Sequence, residues 1–204
     1  MGALGARSGR CANNTVWNIH SVYDSSAAGI YVDGGSNITV EMNEVHHSDV
    51  GIEIGAENKG RIASQMIVRK NYIHDNDKVG LAFGGYDQNR GRVINSLFEA
   101  NRLEYNDVKR TGSGEIVVSY AFNNSVNSNI VKPSTQNIIL YADPSGSLNN
   151  VFDWQIYYQK RVKAIESNLI FNWGNQQYKG LSAFQLATKQ ELHATVIMAK
   201  RRRK

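Results

Sequence analysis

Two short phrases recur along this chain in fixed alternation, and no other feature restricts its folding so strongly. The first is an apolar-x-x-Asn-x-apolar string that centres on Asn43, Asn71, Asn101 and Asn129, spaced 28, 30 and 28 residues apart. A further copy follows around Asn168, after a wider gap. The second phrase is an alternating run usually opened by glycine: Gly29-Ile-Tyr-Val-Asp33, Gly51-Ile-Glu-Ile-Gly55, Gly80-Leu-Ala-Phe-Gly84 and, without the glycine, Glu115-Ile-Val-Val-Ser119. Repeats at fixed periods of this size mark stacked architectures, in which each unit buries its apolar face only against its neighbours.

Both phrases have period two, so each reads as a strand with one face inward. Ile30, Val32, Ile52, Ile54, Leu81, Phe83, Ile116 and Val118 are expected in the core, with Tyr31, Glu53, Ala82 and Val117 facing out. Coils stacked about 4.8 Å apart would bury that face and pair the strand edges in parallel. Leucine-rich repeats have a similar period, but here Leu is scarce and no helical segment follows each strand. The recurring Asn fits a corner: its amide offers donors and an acceptor, it tolerates the left-handed backbone, and stacked copies can bridge successive coils.

The chain therefore reads as all-β, a parallel solenoid of about six coils over residues 13–175. His20 and Trp154 stand at the expected Asn places of the first and last coils. Residues 176–204 read as an irregular segment ending in a basic tail, with room for a short helix at Leu181 and Phe184. The abrupt ends suggest a part of a longer chain, or ends that meet a partner, since solenoids need polar caps.

Charge excludes one class of partner. The formal net charge is +5, and the last five residues, Lys200 to Lys204, are all basic, so the remainder is neutral and no nucleic-acid-binding face is indicated. The single Cys11 excludes an internal disulfide framework. No apolar run reaches the roughly 18 residues of a membrane span, so no membrane partner is expected.

Gly29-Ile-Tyr-Val-Asp-Gly-Gly35, Ser36-Asn-Ile-Thr-Val40, Asn71-Tyr-Ile-His-Asp-Asn76 and Gly80-Leu-Ala-Phe-Gly-Gly-Tyr86 resemble the right-handed parallel β-helix superfamily, which includes pectate-lyase-like proteins, alginate lyases and uronan epimerases. The resemblance covers residues 13 to 170 and implies a secreted, extracellular or cell-surface protein that meets polysaccharide. Gly114-Glu-Ile-Val-Val-Ser119 echoes a strand of the alginate and chondroitin lyase branch, but Tyr120 or Ala121 stands where that branch has its lysine base.

Uronide β-elimination needs a base for the C5 proton and a cation to neutralise the substrate carboxylate. Asp33, Glu53, His47, Lys78 and Arg110 are the catalytic candidates, with Asp33 and Glu53, one coil apart, expected to share a hard cation such as Ca²⁺ or to raise one pKa of the pair. Tyr31, Tyr86, Asp87, Arg90 and Glu115 are the substrate-binding candidates, Tyr86 as a platform for a sugar ring. His46-His47 and His74-Asp75 occupy equivalent places and are expected to stack, either as a polar rung or as a catalytic or metal-binding group. Two function classes stay open: a lyase (or hydrolase or epimerase) of acidic polysaccharide, and a non-catalytic glycan-binding, adhesive or structural module.

Overall fold

The computed structural model describes residues 5–143, 147–160 and 168–199. They form a β-solenoid of about 5 turns, within one of the number expected. Each turn contributes to three sheets. The first contains Arg7–Ala12, Ser36–Glu41, Ile67–Arg69, Leu97–Glu99, Ser125–Asn127 and Val151–Asp153, with short strands such as Ala63–Ser64 beside them. The second runs from Thr15–Trp17 through Glu44–His46, Tyr72–His74, Arg102–Glu104, Ile130–Lys132 and Ile156–Lys160 to Thr195–Ala199. The third contains Ala28–Asp33, Val50–Ala56, Val79–Gly85, Ile116–Ser119, Ile138–Ala142 and Ile170–Trp173, closed by Gln176–Lys179. Equivalent strands of successive turns pair in parallel and in register, for example Ile30 with Ile52 and Ile52 with Leu81.

The inward residues behave as expected. Ile52, Ile54, Ile73, Leu81, Leu103 and Phe98 are fully buried in one continuous cluster, and each is worth about 1.5–3 kcal/mol of burial. Val32 is only partly buried. The glycines that open the third-sheet strands have a steric origin: a Cβ on Gly51 would lie 2.3 Å from the Gly80 carbonyl oxygen and 2.5 Å from Ile73 Cγ2.

Corners hold the coils in register. At the corner between the first and second sheets, Asn71 Oδ1 accepts from the Asn43 backbone N–H and Nδ2, both at 3.0 Å. Asn71 Nδ2 in turn donates to the Val40 carbonyl and to Asn101 Oδ1. The ladder runs from Asn14 through Asn43, Asn71, Asn101 and Asn129 to Gln155. Two expectations shift by this result. His20 and Trp154 are not ladder positions, because Asn14 and Gln155 fill them, and the left-handed residue is the one before each amide: Asn13, Met42, Lys70, Ala100, Ser128 and Trp154. Asn168 is exposed and stands outside the ladder, and the start of its phrase, residues 165–167, lies outside the described residues.

Two further ladders close the other corners. Ser48, Asn76 and Asn106 end on Glu115, and Ser96, Asn124 and Asn150 link the two halves of the first sheet. A left-handed residue again precedes each rung, as at His47, Asp75 and Tyr105.

Pairing begins before residue 13, since Arg7–Ala12 already lies beside Ser36–Glu41. Residues 176–199 are not irregular. Gln176–Lys179 turns back antiparallel on Ile170–Trp173, the helix Leu181–Thr188 stacks Phe184 on Phe171 at 4.5 Å, and Thr195–Ala199 extends the second sheet. The basic tail, residues 200–204, lies outside the described residues.

Asn71→Ala removes the buried acceptor of the Asn43 backbone N–H and a donor to the Val40 carbonyl, while Asn43 Nδ2 keeps its bond to the Cys11 carbonyl. Since each such group costs about 1–3 kcal/mol, urea unfolding should show a loss of about 3 kcal/mol or more. Asn89→Ala, on an exposed loop, should change stability by less than about 0.5 kcal/mol.

Candidate functional site

The outer face of the third sheet carries a row of side chains set side by side by the register: Tyr31, Glu53, Ala82, Val117 and Tyr141. Tyr31 lies over Gly55, where a Cβ would be 2.9 Å from its ring, and its hydroxyl donates to Glu57 Oε1 at 2.9 Å. Asp33 Oδ1 accepts the Glu57 backbone N–H at 3.2 Å. Asp33 and Tyr31 therefore pin the loop after Val50–Ala56.

Glu53 is in a different position. Burial pushes its carboxyl up, the charges of Glu57 and Asp33 push it further, and Lys78 only partly offsets them, so its pKa stands at about 7. Among the described residues it has no hydrogen-bonding partner of the kind that engages Asp33 and Glu57. Burial and the hydrogen bond to Glu57 raise the Tyr31 phenol, with Glu53 adding to the effect, so Tyr31 stays protonated and acts as a donor.

Where the chain turns from the second sheet into the third, an open cleft of about 500 Å³ is lined by His20, Ser21, His47, Asp49, Asp77 and Lys109, among others. Asp49, almost fully buried, accepts from the Ser21 and Ala27 backbone N–H groups and lies 2.9 Å from His20 Nδ1. Those bonds outweigh the effect of burial and hold the Asp49 carboxyl below its ordinary range. Lys109 Nζ sits 2.7 Å from Asp77 Oδ2.

The candidate residues thus separate. Tyr31, Asp33 and Glu53 share the third-sheet face, and Lys78 acts on Glu53 by its charge. Asp33 and Glu53, expected to share Ca²⁺, fall in different rows: Asp33 is in register with Gly55 and Glu53 with Tyr31. Among the described residues, neither belongs to a set of three closely spaced donor atoms. His47 lines the cleft, but Arg110 is exposed on the 107–112 loop and it is Lys109, not Arg110, that lines the cleft. Tyr86, Asp87 and Arg90 form a self-contained turn, with Arg90 at 3.8 Å over the Tyr86 ring and 2.7 Å from Asp87.

Glu115 corrects the sequence reading outright. It is fully buried and receives the Asn106 backbone N–H at 3.0 Å and Nδ2 at 2.6 Å, ending the ladder instead of facing substrate. The stacking of His46 on His74 is as expected, with ring centres 4.9 Å apart. The repeats do not reveal His20 or Glu57: the phrase makes the first look like a ladder position, and the second sits in a connection whose course a repeat does not specify.

The corner ladders, parallel register and one-sided rows define a parallel β-solenoid. This chain belongs to the right-handed beta helix region family, whose profile matches residues 5–158. It is 32% identical over 167 residues to the uncharacterized protein YwoF of Bacillus subtilis (strain 168), over 81% of this chain and 35% of that protein. The chain therefore spans little more than a third of the length of that relative. No solved structure matches it.

Burial lifts the Glu115 pKa to about 8, against the hydrogen bonds from Asn106. A carboxyl raised on folding stabilises fully below its unfolded pKa and loses that contribution as pH rises through the folded value. Glu115→Gln keeps an acceptor for Asn106, as Gln155 does for Asn129. The variant should match the parent near pH 5 and exceed it by about 1 kcal/mol or more near pH 8, read by thermal unfolding.

Proposed function

We propose that this chain acts on an acidic polysaccharide laid along the outer face of the third sheet, with Glu53 as the proton-transferring group of a β-elimination. The observation that carries the reading is the Glu53 carboxyl, held at about 7 on an accessible face and free of the hydrogen bonds that occupy its neighbours. A group poised there is an efficient base at neutral pH. Lys78 is the cation whose charge already reaches Glu53, and it is suited to neutralise a uronate carboxylate. Tyr31 supplies a ring face beside it, its hydroxyl being held by Glu57. Hydrolysis would need a second free carboxylate, and Asp33 and Glu57 are engaged in holding the loop. The cleft at His20, Asp49, Asp77 and Lys109 offers polar groups for a neighbouring sugar unit. Ca²⁺ remains a candidate partner of the substrate carboxylates more than of Asp33 and Glu53. Acidic polysaccharides of this kind belong to matrices outside cells, which carries an extracellular or cell-surface location with the proposal.

The test is to incubate the chain with pectate, alginate and glycosaminoglycans, with and without Ca²⁺, and to follow the ultraviolet absorbance of unsaturated products. Turnover is expected, with kcat/KM rising through a pKa near 7, and Glu53→Gln should reduce it by about 100-fold or more. Product formation unaffected by Glu53→Gln removes the role of Glu53. Glycan binding with no product across the panel overturns the lyase reading in favour of a non-catalytic binding module.

A further inference from the structure

The second sheet carries a different constellation on its outer face. Glu44 and His46 are two residues apart on one strand and so point the same way, and His74 is in register with His46 on the next turn. We propose that Glu44, His46 and His74 bind one divalent transition-metal ion of the zinc type, clasping two successive turns of the solenoid. The site goes beyond the reaction assigned to the third sheet and does not depend on it.

One donor atom from each of the three residues lies within 4.8 Å of the others, and all three are partly exposed. The orientation of His74 is the telling detail. Its Nδ1 lies 2.7 Å from Asp75 Oδ2, and in the neutral ring that bond places the proton on Nδ1 and makes Nε2 an acceptor. That Nε2 faces Glu44 Oε1 at 3.3 Å, so two acceptors confront each other unless a proton or a cation lies between them. Two donors bound tetrahedrally to one ion at about 2.0–2.1 Å are themselves about 3.3–3.4 Å apart. A carboxylate behind the distal nitrogen is also the arrangement that orients a metal-binding histidine and raises its basicity.

The surroundings favour the ligand form. Tyr72 stacks on His74 at 4.2 Å and Trp17 lies parallel to His46 at 6.3 Å, which restricts both imidazoles. Two imidazoles and a carboxylate suit Zn²⁺ and its neighbours, whereas Ca²⁺ and Mg²⁺ require oxygen donors. The other such group of three close donors among the described residues, His20, Asp49 and Asp77, already holds a cation, because Lys109 occupies Asp77 and backbone N–H groups occupy Asp49.

The experiment is calorimetric titration of the tag-free chain with ZnCl₂ at pH 7.5, alongside circular dichroism of every variant. One ion per chain is expected, with a higher unfolding temperature in its presence. His46→Ala and His74→Ala should each weaken binding by about 100-fold or more, and Asp75→Asn, which only loosens the orientation of His74, by about 10-fold. His20→Ala should leave the affinity unchanged. Absence of stoichiometric binding by the folded parent overturns the proposal and leaves His74 as a proton-held ion pair. Binding that survives both imidazole deletions, or that is lost with His20→Ala, overturns it as well. Asp75→Asn and His74→Gln keep the test decisive if a truncation to Ala does not fold.

Discussion

Everything in this molecule depends on closing the backbone at its corners. A coil that bends three times per turn strips N–H and C=O groups of their strand partners in places that water does not reach, and each orphaned group is costly. The carboxamide solves this with one side chain. Asn71 accepts twice from Asn43 and donates both to the Val40 carbonyl and to Asn101, so one residue ties together three turns. The residue before each amide pays with a left-handed backbone, about 1–2 kcal/mol each for an L-residue, which persists because the ladder over-determines it. A slip of one residue would break all three ladders together and turn each apolar face outward. Register is therefore fixed for reasons unconnected with any activity.

Fixed register makes the outer faces chemically legible, because equivalent positions in successive turns become neighbours. Most buried charges on these rows have partners. Burial raises the Glu104 carboxyl, but Arg102 and Lys132 hydrogen-bond to it and bring it below its ordinary range. Glu41 is flanked in the same way by Arg10 and Arg69. Glu53 sits between Tyr31 and Ala82, with carboxylates nearby and Lys78 acting only by its charge, and its pKa moves the opposite way. The same fold treats two outward glutamates oppositely, and the difference is the presence or absence of a bonded cation.

Much of the fold could be read from the sequence because its periods are simple. The spacing of Asn43, Asn71, Asn101 and Asn129 marks one ladder directly, and alternation assigns Ile52, Ile54, Leu81 and Phe83 to the core. What failed is local. The phrase marks a left-handed residue followed by an amide, so where Gln155 replaces Asn the phase is lost by one and Trp154 looks like the rung. The ladder through Ser48, Asn76, Asn106 and Glu115 mixes four positions with three kinds of side chain, which hides it from a search for one residue type. Glu115 looked outward by alternation from Ile116, but the positive φ of Gly114 swings the chain at that point and turns the carboxyl into the corner. The closing segment 176–199 escaped for another reason: an antiparallel return, a helix and one added strand share no common period.

In a solenoid each turn interacts only with its neighbours, so a site built on two or three turns is complete in those turns whatever the length of the parent relative. Glu53 and the Glu44, His46 and His74 group are set on overlapping turns, on either side of the corner at His47 and Ser48. That corner connects them physically. His47 lines the cleft beside the third sheet, and its Nδ1 lies 2.7 Å from Nδ1 of His46, so the two rings must adopt complementary proton positions.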